Sequence, residues 1–282
     1  MILRFAGKLG FVWLLASLLA GGQTAVQLKT SDTSLQLLAG SAAPTLVSIE
    51  STGGAWKNQS PDRLIDSVYV DGRAVPVHWQ AKPAAATVDS RHVVFVYEND
   101  SPRLRLSWAW DARADFGPIE HQIRIENLGD QEIWLPLQDS FQFNFKIDPR
   151  TELEQLFVEK GAGTPSNVGT HRVPLIDGYK WRGTSSTYAH PKDDEPREII
   201  PWFLVQNKSS AQDGWYVGIE FSGRTQLSVQ REGDSLKGSG GLNPDPAPFR
   251  TRLRPGESFE TPTIFLGAFG GGPDAAGRRR PG

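Results

Sequence analysis

Along most of this chain, apolar and polar residues take turns one by one. From Arg103 the order is Arg-Leu-Arg-Leu-Ser-Trp-Ala-Trp, so Leu104, Leu106, Trp108 and Trp110 share one face while Arg103, Arg105 and Ser107 share the other. Phe141, Phe143, Phe145 and Ile147 alternate in the same way with Gln142, Asn144 and Lys146, and His121, Ile123 and Ile125 line one side of the stretch 120–126. A period of two is the pattern of a half-buried antiparallel strand. The same reading predicts strands over 45–51, 67–70, 75–80, 92–98, 199–206, 215–221, 225–231 and 261–268, with turn signals such as Asp71-Gly72 and Leu128-Gly129-Asp130 between them. Only 153–159 reads as a possible short helix. So many strands with so little helix predict an all-β fold, a large two-sheet antiparallel β-sandwich over residues 23–269, rather than a parallel α/β sheet.

Three stretches break the alternation. In residues 1–22, Arg4 and Lys8 precede an apolar run from Leu9 to Leu19, followed by the small residues Ala20, Gly21 and Gly22. This is the layout of a secretory signal peptide, and the run is shorter than the roughly 20 apolar residues that span a bilayer. An exported chain beginning near Gln23 is the expectation, with a retained N-terminal anchor as the alternative. The stretch 161–198 is rich in Gly, carries the acidic run Asp193-Asp194-Glu195, and also holds Tyr179, Trp181, Tyr188, His171 and His190. It reads as a long loop, and long loops in compact domains are usually functional or disordered. The tail 270–282 has no apolar residue large enough to anchor it and is expected to be disordered.

Composition narrows the function classes. The chain of 282 residues has 30 Lys+Arg against 32 Asp+Glu, a net charge of −2, and removal of Arg4 and Lys8 with the signal would make it −4. That balance argues against a nucleic-acid binder whose affinity comes from phosphate neutralisation. The absence of Cys excludes disulfides, Cys-type zinc sites and a thiol nucleophile. His78, His92, His121, His171 and His190 lack metal-ligand spacing, and no Gly-rich loop precedes a helix in nucleotide-binding fashion, so neither metal nor cofactor is expected. Nine Trp beside a single Met suit either a large sandwich core or flat surfaces that meet a sugar ring.

No spacing singles out the close carboxylate pair of a retaining glycosidase. A sugar epimerase of the mutarotase kind needs a carboxylate base and a His acid. The best available pair is Glu220, on the Tyr216 side of its strand, with His121, which interrupts an apolar strand face. The simpler reading of the two is a hydrogen-bonded core histidine and a rim glutamate.

Several segments in the second half carry a resemblance. Arg182-Gly183-Thr184-Ser185-Ser186 followed by Pro191 is similar to the Arg-Gly-x-Ser-Ser-His-x-x-Asn-Pro loop of melibiase-type α-galactosidases, glycoside hydrolase family 36, with Thr187 and His190 where that pattern has His and Asn. Pro201-Trp202-Phe203-Leu204 resembles the start of the core strand that follows. The segment from Gly214 through Gly218 to Ser222-Gly223 resembles the family's Gly-x-x-x-Gly-x-x-x-x-Ser-Gly strand and turn, with three residues between Gly218 and Ser222 where that pattern has four. Gly241-Leu242-Asn243-Pro244 and the stretch from Leu253 to Pro262 resemble the close of its N-terminal domain.

The resemblance implies a β-supersandwich of the galactose-mutarotase-like type, which in that family precedes a catalytic (β/α)8 barrel holding both catalytic aspartates. No residue here inherits either role. The expectation is therefore a non-catalytic, carbohydrate-associated module, truncated or split from a glycoside hydrolase, with the mutarotase-like epimerase as alternative. Tyr179, Trp181, Arg182, Ser185, Ser186 and His190 are its candidate substrate-facing or barrel-facing residues. Its partner would be a galactoside-like carbohydrate or a separate catalytic barrel, and a homo-oligomer is compatible with it.

Overall fold

The computed structural model describes residues 18–19, 23–51, 53–160, 169–186, 198–209, 213–245 and 247–271. Within these, every strand pairing is antiparallel, and the only helical element is a single 3-10 turn at Pro83–Ala85. The front sheet runs in the order Leu18–Leu19, Gln23–Lys29, Ser34–Ala39, Pro44–Glu50, Ala55–Asn58, Phe141–Lys146, Ser235–Leu242, Thr225–Glu232 and Lys180–Ser185. The back sheet runs Thr170–Pro174, Leu153–Glu159, Ile199–Asn207, Asp213–Glu220, Thr263–Gly270, Ile119–Asn127, Leu104–Asp111, His92–Asn99 and Gln80–Ala81, with Ser258–Glu260 and Thr87–Val88 attached at its side. A small sheet of Thr251–Leu253, Ile133–Leu135, Ser67–Val70 and Arg73–Pro76 completes the fold.

The alternation in the sequence is what closes the sandwich. In Leu104–Asp111 every odd member is buried and every even member half-buried, and Phe141–Lys146 follows the same rhythm. The two inner faces meet around Trp215 of the back sheet. Its ring lies 4.9 Å from Phe143 and 5.3 Å from Phe145 of the front sheet, in edge-on geometry. Such aromatic contacts add roughly 0.5–1.5 kcal/mol each beyond simple burial.

Two expectations change. Residues 153–159 form a strand, not a helix. Leu153, Leu156 and Phe157 have helical spacing because both faces of this strand are covered: Leu153 and Phe157 join the central core, while Leu156 joins Leu204 and Phe269 on the outer side of the back sheet. The stretch 161–198 is not one loop, since it contributes the strands Thr170–Pro174 and Lys180–Ser185 to the edges of the two sheets. Its remaining segments 161–168 and 187–197, most of the expected signal, and the tail from 272 lie outside the described residues. Among the described residues no helix is long and apolar enough to cross a membrane.

Candidate functional site

The polar half of the front sheet's alternation faces outward and forms a groove. Cross-strand register sets Gln142 opposite Ser239, Ser239 opposite Ser228, and Ser228 opposite Arg182. The adjacent row is Asn144, Lys237, Gln230 and Lys180. Four strands at roughly 4.8 Å spacing make each row about 14 Å wide. Ser228 and Ser239 are short, so the middle of the sheet is low, and longer side chains stand on either side. The resulting cavity of about 610 Å³ is also lined by Asn58, Asp62, Arg63 and Trp181.

The side of the groove nearest residue 63 is fixed by amides. Gln142 Oε1 accepts from the Arg63 Nε at 3.0 Å, and Gln142 Nε2 donates to the Arg63 carbonyl at 3.2 Å. Gln138 accepts from the Ile65 N–H at 2.9 Å and donates back to the Arg63 carbonyl at 3.1 Å. Beneath them burial pushes the Asp139 carboxyl above its ordinary pKa, against the pull of Arg63 and a hydrogen bond from Ser239. Asp62 turns its carboxylate into the sandwich, where Trp108 Nε1 donates to it at 2.8 Å, and burial pushes its pKa up to about 7. On the far side, Arg182 donates to Gln226 at 2.7 Å and pairs with Asp245; on the strand next to Phe141–Lys146, Lys237 pairs with Glu232 at 2.7 Å.

Of the residues singled out from the sequence, Arg182 stands in this groove and Trp181 borders it. Tyr179 and Trp181 otherwise pack inward. The Tyr179 hydroxyl donates to Gln155 at 2.9 Å, and the Trp181 ring lies 4.9 Å from Phe157 and 5.6 Å from Phe203. Ser185 is buried, and the Ser186 N–H donates to Glu198 Oε2 at 2.9 Å. His190 lies outside the described residues. Trp181→Ala is therefore expected to destabilise the fold by about 2 kcal/mol, roughly half the cost of truncating a fully buried Trp. Urea unfolding of the variant checks this, and a loss well under 1 kcal/mol would mean the ring is presented to solvent or a partner instead.

His121 and Glu220 do not converge. They sit near one another along the back sheet, since His121 pairs with Ile264 and Ile264 pairs with Ile219. Their side chains leave opposite faces. His121 is buried, stacked on Trp110 with ring centroids 4.2 Å apart, and its Nδ1 lies 2.7 Å from the Ala109 carbonyl. Burial drives its pKa down to about 3. Glu220 is exposed on the outer face. Among the described residues, no three His, Asp or Glu side chains are placed to hold a metal.

Sequence reading missed most of the groove: Arg63, Gln142, Asn144, Lys180, Ser228, Gln230 and Ser239. A signal was there. The outward positions of Phe141–Lys146 and Thr225–Glu232 are Gln142, Asn144, Gln226, Ser228 and Gln230, with the charged Lys146 and Glu232 only at the strand ends.

The architecture is that of a large galactose-mutarotase-like β-supersandwich. No protein-family model and no curated sequence matches the chain. Among solved structures it is similar to the family 36 α-galactosidase AgaA of Geobacillus stearothermophilus, with a TM-score of 0.68 and 15% identity over 89% of this chain and 41% of that one. It is also similar to the α-galactosidase of Lactobacillus brevis, with a TM-score of 0.64 and 14% identity over 88% of this chain and 40% of that one. The chain thus spans about two fifths of the length of these enzymes, in keeping with their N-terminal sandwich alone. A putative aldose 1-epimerase of Escherichia coli K12 matches with a TM-score of 0.51 and 10% identity over 88% of this chain and 99% of that one.

Proposed function

We propose that the chain is a non-catalytic, carbohydrate-associated sandwich module of an exported glycoside-hydrolase system. The observation that carries this reading is the front-sheet groove, where amides and hydroxyls face outward on a fold shared with α-galactosidases. Amide and hydroxyl side chains both donate and accept, which suits a polyhydroxylated ligand. One of the similar structures is AgaA in complex with raffinose, so a galactoside is the first ligand class to try. A separate catalytic barrel is the protein partner that this reading implies.

The epimerase reading has the length of the E. coli chain in its favour. The acid and base named for it, His121 and Glu220, point to opposite sides of the back sheet.

The purified chain is expected to bind a saccharide and to leave aryl α-galactosides uncleaved across roughly pH 4–8, the range in which a paired acid and base would titrate. A hydrolytic rate that survives purification and vanishes on changing one acidic residue would overturn the non-catalytic reading. Failure to bind any saccharide would overturn the carbohydrate reading. Export belongs to the same proposal. Cleavage before Gln23 would leave the strand Gln23–Lys29 whole, removing only its short partner Leu18–Leu19. N-terminal sequencing of the exported protein checks it, and intact Met1 in a soluble exported fraction would rule it out.

A further inference from the structure

We propose that the front-sheet groove selects an acidic saccharide, a chain containing hexuronate, over a neutral one. This rests on the carbohydrate reading above and adds the charge of the ligand to it. Four cations line the cavity, Arg63, Lys180, Arg182 and Lys237, against the single carboxylate of Asp62. That acid is spoken for, because it points into the sandwich and accepts from Trp108. The local excess of positive charge stands out on a chain whose net charge is −2.

The four cations are not equivalent. Arg182 and Lys237 have carboxylate partners at the rim, Asp245 and Glu232. Arg63 and Lys180 have none within ion-pair distance among the described residues. Arg63 uses its Nε on Gln142, which orients the guanidinium and leaves its two terminal nitrogens for a ligand. Gln142 is itself held by the Arg63 backbone and by Asp139, so this arginine is positioned before any ligand arrives. An oriented guanidinium presents two parallel N–H donors to one carboxylate, the geometry that separates a uronate from a neutral hexose. Lys180 supplies a second charge from the far edge strand, in the row of Asn144 and Gln230.

Between the charges lie Ser228, Ser239, Asn144 and Gln230, groups that meet sugar hydroxyls rather than a second charge. A bare inorganic anion would use the cations and ignore this floor. A neutral oligosaccharide would use the floor and leave Arg63 and Lys180 idle. A hexuronate chain uses both.

The test is calorimetric titration of the whole chain with trigalacturonate, a neutral galactotriose and inorganic phosphate, at about 50 mM salt, where charge attraction is only partly screened. Trigalacturonate is expected to bind at least about tenfold more tightly than galactotriose and than phosphate, and to weaken as salt is raised. Arg63→Gln and Lys180→Gln are each expected to weaken trigalacturonate about tenfold, as loss of a charge-assisted contact does. Both side chains are exposed, so an unchanged thermal midpoint shows that each variant is folded. Equal affinity for the acidic and neutral trisaccharides would overturn this proposal while leaving the carbohydrate reading in place. Phosphate binding as tightly as trigalacturonate, and competing with it, would reduce the groove to a simple anion site. Binding of no saccharide at all would overturn both.

Discussion

Replacing Asp62 with Asn is expected to make the protein more stable at pH 8 and to change how its stability responds to pH. The Asp62 carboxyl has a folded-state pKa of about 7 against an ordinary 3.8, because burial opposes its charge more strongly than the Trp108 hydrogen bond supports it. The fold therefore holds the proton more tightly than the unfolded chain does. Its contribution is intact below about pH 4 and is lost as pH rises through 7, a span of roughly three pKa units or about 4 kcal/mol.

His121 works in the opposite sense. Burial lowers its pKa from 6.5 to about 3, with the Ala109 hydrogen bond only partly opposing this. The stability it leaves intact is present above pH 6.5 and is lost as pH falls toward 3, by about 5 kcal/mol. Between roughly pH 4 and 6.5 the two slopes oppose and nearly cancel. Asn at position 62 can still accept the Trp108 N–H without ionising, so Asp62→Asn leaves the histidine slope alone, and stability should rise with pH up to 6.5 and then level off. His121→Phe should leave the Asp62 slope, with stability falling from pH 4 to 7. Urea midpoints followed by tryptophan fluorescence at steps of pH measure both. Parallel pH profiles for the wild type and Asp62→Asn would show that the carboxyl is not held in its neutral form.

The other large effect is expected at Trp215. This ring is fully buried and contacts Trp56, Phe143, Phe145 and Phe203, with centroids 4.9–6.3 Å away. It joins the middle strands of both sheets. Trp215→Ala should cost about 3–5 kcal/mol, the range for truncating a buried aromatic where the surroundings relax only in part. Its indole N–H has no hydrogen-bond partner among the described residues. Trp215→Phe therefore removes volume without breaking a hydrogen bond, and should cost about 1–2 kcal/mol. Urea unfolding should show a lower midpoint with an unchanged slope for both variants. Equal losses for Phe and Ala would mean that ring volume is not what this position contributes.

Much of the architecture was legible because a half-buried strand writes its two faces into alternate residues. The strands around Trp108, Ile123, Phe143 and Val229 could be placed from that rhythm alone. Ser235–Leu242 could not. Its three glycines interrupt the apolar and polar rhythm, yet Gly238 lies under the Phe143 ring, where an added Cβ would come within 2.7 Å of the ring and 2.0 Å of the Ser228 carbonyl oxygen. A glycine is needed there for close approach, and only the facing strand reveals it. Lys180–Ser185 was hidden for a related reason: the glycine-rich stretch around it looks like loop until it pairs residue by residue with Thr225–Glu232.

By itself, then, the sequence determined the all-β class, which side of most strands is apolar, and the motif series that resembles a glycoside hydrolase's sandwich domain. Those are local properties, carried by residues two apart or by short runs. The tertiary structure decided everything that depends on cross-strand register. Register put His121 and Glu220 beside each other yet on opposite faces of one sheet. It also brought Arg63, Gln142, Ser239, Ser228 and Arg182, far apart in the chain, into one groove. Pairing between distant strands is set by how whole inner faces pack, and no single segment encodes it.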